Sequence, residues 1–439
     1  MEEPTRFLAP AVVTADGAGT VHRPGWVEVL GDRITGVGPG RGAPGPVGGT
    51  VVELEGLLMP GLVNCHAHSP MTLFRGVGEG LPLDRWLREA IWPREAHLTP
   101  EDVYWGMLLA ADEMLRCGVT TSCETYFDDG RIVDAAVDAG LRCLVTPGIV
   151  AIEGAEAPFT WPALLDRASQ LHADAQGRAG LIEIGFGPHA AYTLPLDALE
   201  AVGERARDVG ALLHIHLAET AGEGASLEAE HGVTVPGLLA RLGVLDGRVL
   251  AAHSVWLTDD DLDLYARMDV AVAHCPQSNA KLGSGVARLA EMLEAGIRVG
   301  LGTDGPASNN DLDLWEEMRL APLLARATAG DPTRVSVDQA LTLATGGGAA
   351  ALGLETGILE PGRLADLVHL TMADSRFVPL VEPGDLLAHL VWSASSQLVR
   401  DVWVGGRQVV AAGSSLTIDA PGARAEVQRR AERLAAALG

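Results

Sequence analysis

Short apolar runs of strand length recur along the chain, with longer amphipathic stretches between them. Eight such runs stand out: LLMPGLVNCHAH (57–68), VTTSCET (119–125), LRCLVTPGIV (141–150), IEIGFGPH (182–189), LLHIHLAE (212–219), VLAAHSV (249–255), VAVAHCPQS (270–278) and RVGLGTDG (298–305). The clearest intervening helix is EDVYWGMLLAADEMLRCG (101–118), with apolar residues at helical spacing and Gly118 as its stop. Eight strand–helix alternations in about 250 residues fit an α/β fold of the (β/α)8, TIM-like barrel type better than an open doubly wound sheet. The flanks read differently. GWVEVLGDRITGVGPG (25–40), ADLVHL (365–370) and VRDVWVGGRQVVAAG (399–413) have the texture of strands joined by glycine turns. They are expected to come together as a small β-sandwich beside the barrel. The resulting division is 1–59 and 358–439 for the sandwich, the latter ending in a terminal helix, ARAEVQRRAERLAAALG, with 60–357 as the barrel.

Polar residues collect at the C-terminal ends of the apolar runs: His66 and His68, Glu124, His189, His216 with Glu219, His253, His274 and Asp304. Barrel enzymes build their sites on that rim, whereas chance would scatter such residues through the helices as well. Composition narrows the partners. Fifty-eight acidic residues against 32 basic ones give a formal charge of −26, which repels phosphate backbones and anionic lipid surfaces. Nucleic-acid polymers and membranes are therefore not expected as partners. The start, MEEPTRFLAPAVV, lacks a basic segment followed by a long apolar one, so a cytoplasmic location is the expectation. Five cysteines without CxxC spacing read as buried free thiols.

Two histidines at i and i+2 on a strand face the same way, so His66 and His68 can aim at one ion. On its own, His-x-His is a weak signal; its place at the end of the first run strengthens it. His214 and His216 repeat the pattern on the fifth run, where His216 lies nearer the rim and is read as the ligand. His214 is read as packed one layer deeper or supporting the site. Asp304 in GTDGP completes three imidazoles and one carboxylate, a set that leaves a position open for reaction, as catalytic zinc sites require. A second ion would call for a bridging anion such as a carboxylated lysine. The only lysine, Lys281, follows the seventh run rather than the fourth. One divalent metal ion, with zinc the expected species, follows.

The runs PGLVNCHAHSPMTLFRGVGEGLPLDRWL, FGPHAAY, HIHLAET, AAHSVWL, AHCPQSNAKLGSG and LGTDGPASNNDLDLWEEMRLA together resemble the methylthioadenosine/S-adenosylhomocysteine deaminase group of the amidohydrolase superfamily, kin to the triazine hydrolases. The resemblance covers nearly the whole chain. It implies a hydrolytic deaminase that replaces the 6-amino group of an adenosine-like nucleoside and releases ammonia. It also implies the metal ligands His66, His68, His216 and Asp304, with Asp304 taking up a water proton. Glu219 matches the proton shuttle to purine N1, and His253 the histidine that orients the attacking water. Trp86, Glu95 and His189 match residues around the nucleoside, Glu95 facing the ribose hydroxyls. The expected partner is a small nucleoside, and the chain could assemble as a homo-oligomer. One departure stands out. Relatives that take S-adenosylhomocysteine grip its carboxylate with arginines after the third strand, whereas here Pro147 occupies one such place and 143–166 contains no Lys or Arg. Adenosine, 5′-deoxyadenosine or methylthioadenosine are thus the expected substrates. The rival readings are an aminohydrolase or chlorohydrolase acting on a free base or s-triazine, and a non-catalytic barrel. The ribose-facing residues argue against the first, the complete ligand set against the second.

Overall fold

A computed structural model describes residues 3–41, 49–127, 129–151, 160–382 and 384–438. Its centre is two four-stranded parallel sheets. The first holds strands Leu62–Ala67, Val119–Glu124, Arg142–Val145 and Ile182–Ile184, side by side in chain order. The second holds Leu213–Leu217, Val249–His253, Ala271–His274 and Val299–Leu301, again in chain order. Isolated parallel bridges link the two at both seams, Ala67 opposite Asp304 on one side and Phe186 opposite Leu213 on the other. Each strand here is buried along its length or nearly so, which explains the near-continuous apolar runs in the sequence.

The first run proves to be two strands rather than one. Gly56–Pro60 belongs to a different sheet, and the chain turns at Gly61 into Leu62–Ala67. A side chain at position 61 would meet Thr120 Oγ1 at 1.9 Å, so the close passage of the two strands requires glycine there. The helix foreseen over 101–118 runs Pro100–Arg116 and opens with a capping box between Thr99 and Asp102. It ends at Cys117, and Gly118, at φ +86°, turns the chain so that its carbonyl accepts from Leu62 N at the foot of the first parallel strand.

The two ends of the chain meet in a seven-stranded sheet. Its order is Ser414–Ser415, Arg407–Ala411, Val399–Val404, Leu367–Thr371, Gly56–Pro60, Ala11–Val13 and Val21–His22. A four-stranded sheet of Arg33–Pro39, Gly25–Leu30, Thr5–Ala9 and Thr50–Glu53 shares an apolar cluster with it. Phe7 and Trp403 meet edge to face in that cluster, ring centres 5.0 Å apart. Arg142, at the start of the third parallel strand, reaches Asp366 beside the seven-stranded sheet in a bidentate pair at 2.9 and 3.0 Å, both side chains buried. Asp366 also accepts from Thr356 Oγ1 and Gly405 N. The terminal helix, Ala420–Ala436, leaves the terminal sheets: Arg430 and Arg433 clamp the buried Asp102 of helix Pro100–Arg116. All five cysteines are free; four are buried and Cys117 is partly exposed. Among the described residues no helix is long and apolar enough to cross a membrane.

Candidate active site

The C-terminal ends of the parallel strands converge on one cluster. His66 is the next-to-last residue of the first strand and His68 follows the strand, while His216 lies near the end of the fifth. His253 ends the sixth strand, and Asp304 follows the eighth. Asp304 Oδ1 lies 3.2 Å from His66 Nε2 and 3.1 Å from His68 Nε2, and His68 Nε2 lies 3.2 Å from His216 Nε2. The backbone is bent to achieve this: Ala218, His253, Ser254 and Asp304 all adopt positive φ, between 48° and 71°. That conformation is costly for residues with a side chain and is concentrated where side chains must be aimed.

The outer ring nitrogens fix what the inner ones present. His68 Nδ1 contacts the Thr125 carbonyl, and His216 Nδ1 contacts the His189 carbonyl at 2.9 Å. A carbonyl only accepts, so each Nδ1 carries the hydrogen and each Nε2 is a bare lone pair. The His66 tautomer is fixed through two further residues, Thr146 and His214. Thr146 Oγ1 donates to the Glu124 carbonyl and so accepts from His214 Nδ1 at 3.1 Å. His214 Nε2 is then an acceptor for His66 Nδ1 at 2.9 Å, which leaves His66 Nε2 bare as well. That atom is buried and makes no well-aligned hydrogen bond. Three lone pairs and a carboxylate oxygen facing one another at these distances repel unless a cation lies among them, so the donor set fits a divalent ion with nitrogen and oxygen ligands. Burial pulls the His68 pKa down, but Asp304, the Thr125 carbonyl and Glu124 together carry it above its ordinary value. His66, by contrast, is pushed down to about 3, chiefly by burial.

Asp304 is held from behind, its Oδ2 accepting from Ser278 and Ser308 hydroxyls at 2.6 and 2.8 Å. Beside the cluster, Glu219 Oε2 stands 3.9 Å from His253 Nε2. Burial pushes the Glu219 carboxyl above its ordinary pKa, so it retains a proton more readily than an exposed glutamate. Glu223 accepts from the backbone N–H groups of Ala218 and Glu219, clamping the turn that presents Glu219. The remaining foreseen residues lie on the same cavity. Trp86 is buried, its indole N–H donating to the Val77 carbonyl while its ring forms part of the wall. Glu95 accepts from the Tyr126 hydroxyl at 2.7 Å; burial raises its pKa against that bond. Burial pushes His189 down to about 4, leaving it neutral at pH 7, and its Nδ1 meets Thr193 Oγ1.

The cavity has about 790 Å³ of free space, its open mouth included. Its wall brings together His68, Trp86, Glu95, His189, His216, Glu219, His253 and Asp304; His66 and His214 stand behind it. His274 is buried outside that wall. Sequence reasoning passed over Ser278, Ser308, Tyr126, Glu223 and Asn279. Tyr126, two residues past the strand Val119–Glu124, was the one available signal; Ser278 and Asn279 sit in the helix Pro276–Lys281, and Glu223 and Ser308 in turns, where such residues are ordinary.

The amidohydrolase family profile matches residues 57–409, which include every residue of this cluster. The chain belongs to the amidohydrolase family. Among its relatives, a 5-methylthioadenosine/S-adenosylhomocysteine deaminase of Pelotomaculum thermopropionicum is 42% identical over 96% of this chain and 97% of its own length. A 5′-deoxyadenosine deaminase of Methanothermobacter thermautotrophicus is 41% identical over 82% of this chain and 83% of its own. Among solved structures, an adenosine deaminase of Xanthomonas campestris with bound zinc superposes with a TM-score of 0.92 at 36% identity, covering 98% of each chain. These kinships imply the TIM-barrel fold, and they make this amidohydrolase a metal-dependent hydrolase.

Proposed function

We propose that this amidohydrolase removes the 6-amino group of adenosine-like nucleosides with neutral 5′ groups, yielding the inosine analogue and ammonia. The observation that carries the reading is a buried carboxyl, Glu219, set beside the histidine–aspartate cluster on a cavity whose wall also holds Glu95. In this reading His66, His68, His216 and Asp304 hold one zinc ion. Bound there, zinc supplies Lewis acidity that makes water a nucleophile at neutral pH. The protein's own groups handle the protons. His253 Nε2 orients the attacking water and helps withdraw its proton, which passes to Asp304. Water oxygen bonds to C6 as the Glu219 carboxyl gives its proton to N1, so negative charge never accumulates on the ring. The C6–N bond then breaks as the proton from Asp304 passes to the amine. Ammonia leaves, and the C6 hydroxyl proton returns to Glu219. Trp86 and His189 flank the base, and Glu95, braced by Tyr126, accepts from the ribose hydroxyls. We further propose that the two parallel sheets act as one barrel over 60–357, with 1–59 and 358–439 supplying the sandwich and terminal helix.

Substrate class follows from charge. No Lys or Arg lines the cavity among the described residues. Of the cation-free stretch 143–166, residues 152–159 lie outside the described residues, but their sequence adds only acidic charge. A carboxylate tail would forgo a charge-assisted partner worth about 1.5–3 kcal/mol, roughly a 10- to 100-fold penalty. The test is ammonia release from adenosine, 5′-deoxyadenosine, methylthioadenosine, S-adenosylhomocysteine, guanine, cytosine and s-triazines. The first three should lead in kcat/KM by at least tenfold. Turnover confined to free bases or triazines would overturn the reading.

A further inference from the structure

The short helix Pro276–Lys281 follows the seventh parallel strand and delivers two consecutive side chains to the site from behind. Ser278 donates to Asp304 Oδ2, and Asn279 Oδ1 lies 2.8 Å from His253 Nδ1. Asn279 is firmly placed: its backbone N–H donates to the Cys275 carbonyl, and its own carbonyl accepts from Ser284 N. It is 1% exposed and His253 likewise. Asn279 does not reach the cavity wall, so any influence on substrate passes through His253. Its Nδ2 is buried without a hydrogen-bond partner, a cost in stability that an apolar residue of similar size would avoid. What the amide provides in return is an acceptor for His253 Nδ1. An oxygen at that point forces the hydrogen onto Nδ1 and leaves Nε2 bare. The same Nε2 faces Glu219 and the ligand cluster.

We infer that Asn279 is a positioning residue for deamination: it fixes the tautomer and tilt of His253 so that the Nε2 lone pair meets the attacking water. The inference rests on the deaminase reading above for its kinetic arm and on geometry alone for its spectroscopic arm. In zinc-loaded protein labelled with [15N]histidine, the ring assigned to His253 by its loss in H253Q should show a protonated Nδ1 and an unprotonated Nε2. The opposite tautomer, as an inverted amide would impose, overturns the inference. Kinetically, N279A should keep its zinc and lower kcat about 100-fold with KM changed less than threefold, the scale on which supporting partners act. N279D, which can only accept, should stay within about tenfold of the parent. The double variant H253A/N279A should be no slower than H253A. An N279A kcat near the parent value, an N279D as slow as N279A, or additive losses in the double variant would each refute the assignment. Should N279A fail to fold, N279D and the parent spectrum still decide. If the parent releases no ammonia from any nucleoside, the deaminase reading fails while the tautomer measurement judges Asn279 separately.

Discussion

Asp366→Ala removes the carboxylate on which Arg142, Thr356 and Gly405 converge. The side chains of Arg142 and Asp366 are only 7% and 0% exposed, so the guanidinium left behind cannot turn to water. Breaking a buried pair by deleting one partner costs about 3–5 kcal/mol, and the abandoned hydroxyl and N–H push the cost towards the upper end. With 439 residues at about 2.1 cal/mol/K each, the unfolding entropy is about 0.9 kcal/mol/K, and the melting temperature should fall by about 3–5 °C. Removing both charges at once, Arg142→Met with Asp366→Leu, leaves no stranded ion and should recover more than half of the loss. Differential scanning calorimetry of the zinc-loaded protein measures both. Turnover at 20 °C should change less than twofold, because neither residue lines the cavity. A single variant melting within 1 °C of the parent, or a double variant losing the sum of the two single changes, would refute the reasoning.

Three further expectations concern the site and its surroundings. Glu219→Gln preserves shape and zinc content but removes the proton shuttle, so kcat should fall by about 10²–10⁴; near-normal ammonia release would contradict the role. His216→Ala removes one of three imidazoles, and elemental analysis of purified protein should show zinc well below one ion per chain, with full occupancy ruling out His216 as a ligand. Glu223 is pushed up to about 7, chiefly by burial, from an ordinary 4.5. Between those values the folded chain holds a proton that the unfolded chain has released, so this group makes stability fall as pH rises. Glu223→Gln should flatten that slope in unfolding midpoints measured from pH 4.5 to 7, and an unaltered slope would count against it.

Strand ends carrying His66, His68, His216, His253 and Asp304 were legible because barrel chemistry places polar residues where apolar runs stop. Even the supporting part played by His214 could be read, from its position two residues inside the rim. That the run 57–68 holds two strands, Gly56–Pro60 and Leu62–Ala67, was not, since both are buried on both faces and leave no alternation to mark the change of sheet. Propensity announced the helix Ala420–Ala436 but not its docking on Asp102, which depends on two arginines more than 300 positions away. Asn279 escaped notice for a related reason, acting on a ring nitrogen 26 positions away that only folding brings near, whereas Glu223 acts within its own turn, on the Glu219 N–H four positions back.

Strand Gly56–Pro60 pairs with Leu367–Thr371, a partner that leaves the ribosome some 300 residues later. Throughout that interval the nascent polypeptide carries a fully apolar strand that can pair on one side only, with Ala11–Val13, its other edge standing open. Such an exposed edge invites aggregation during synthesis. Expression from slowly translated messages, or without chaperones that shield early segments, should therefore lower the soluble yield of this enzyme well before it alters the finished fold.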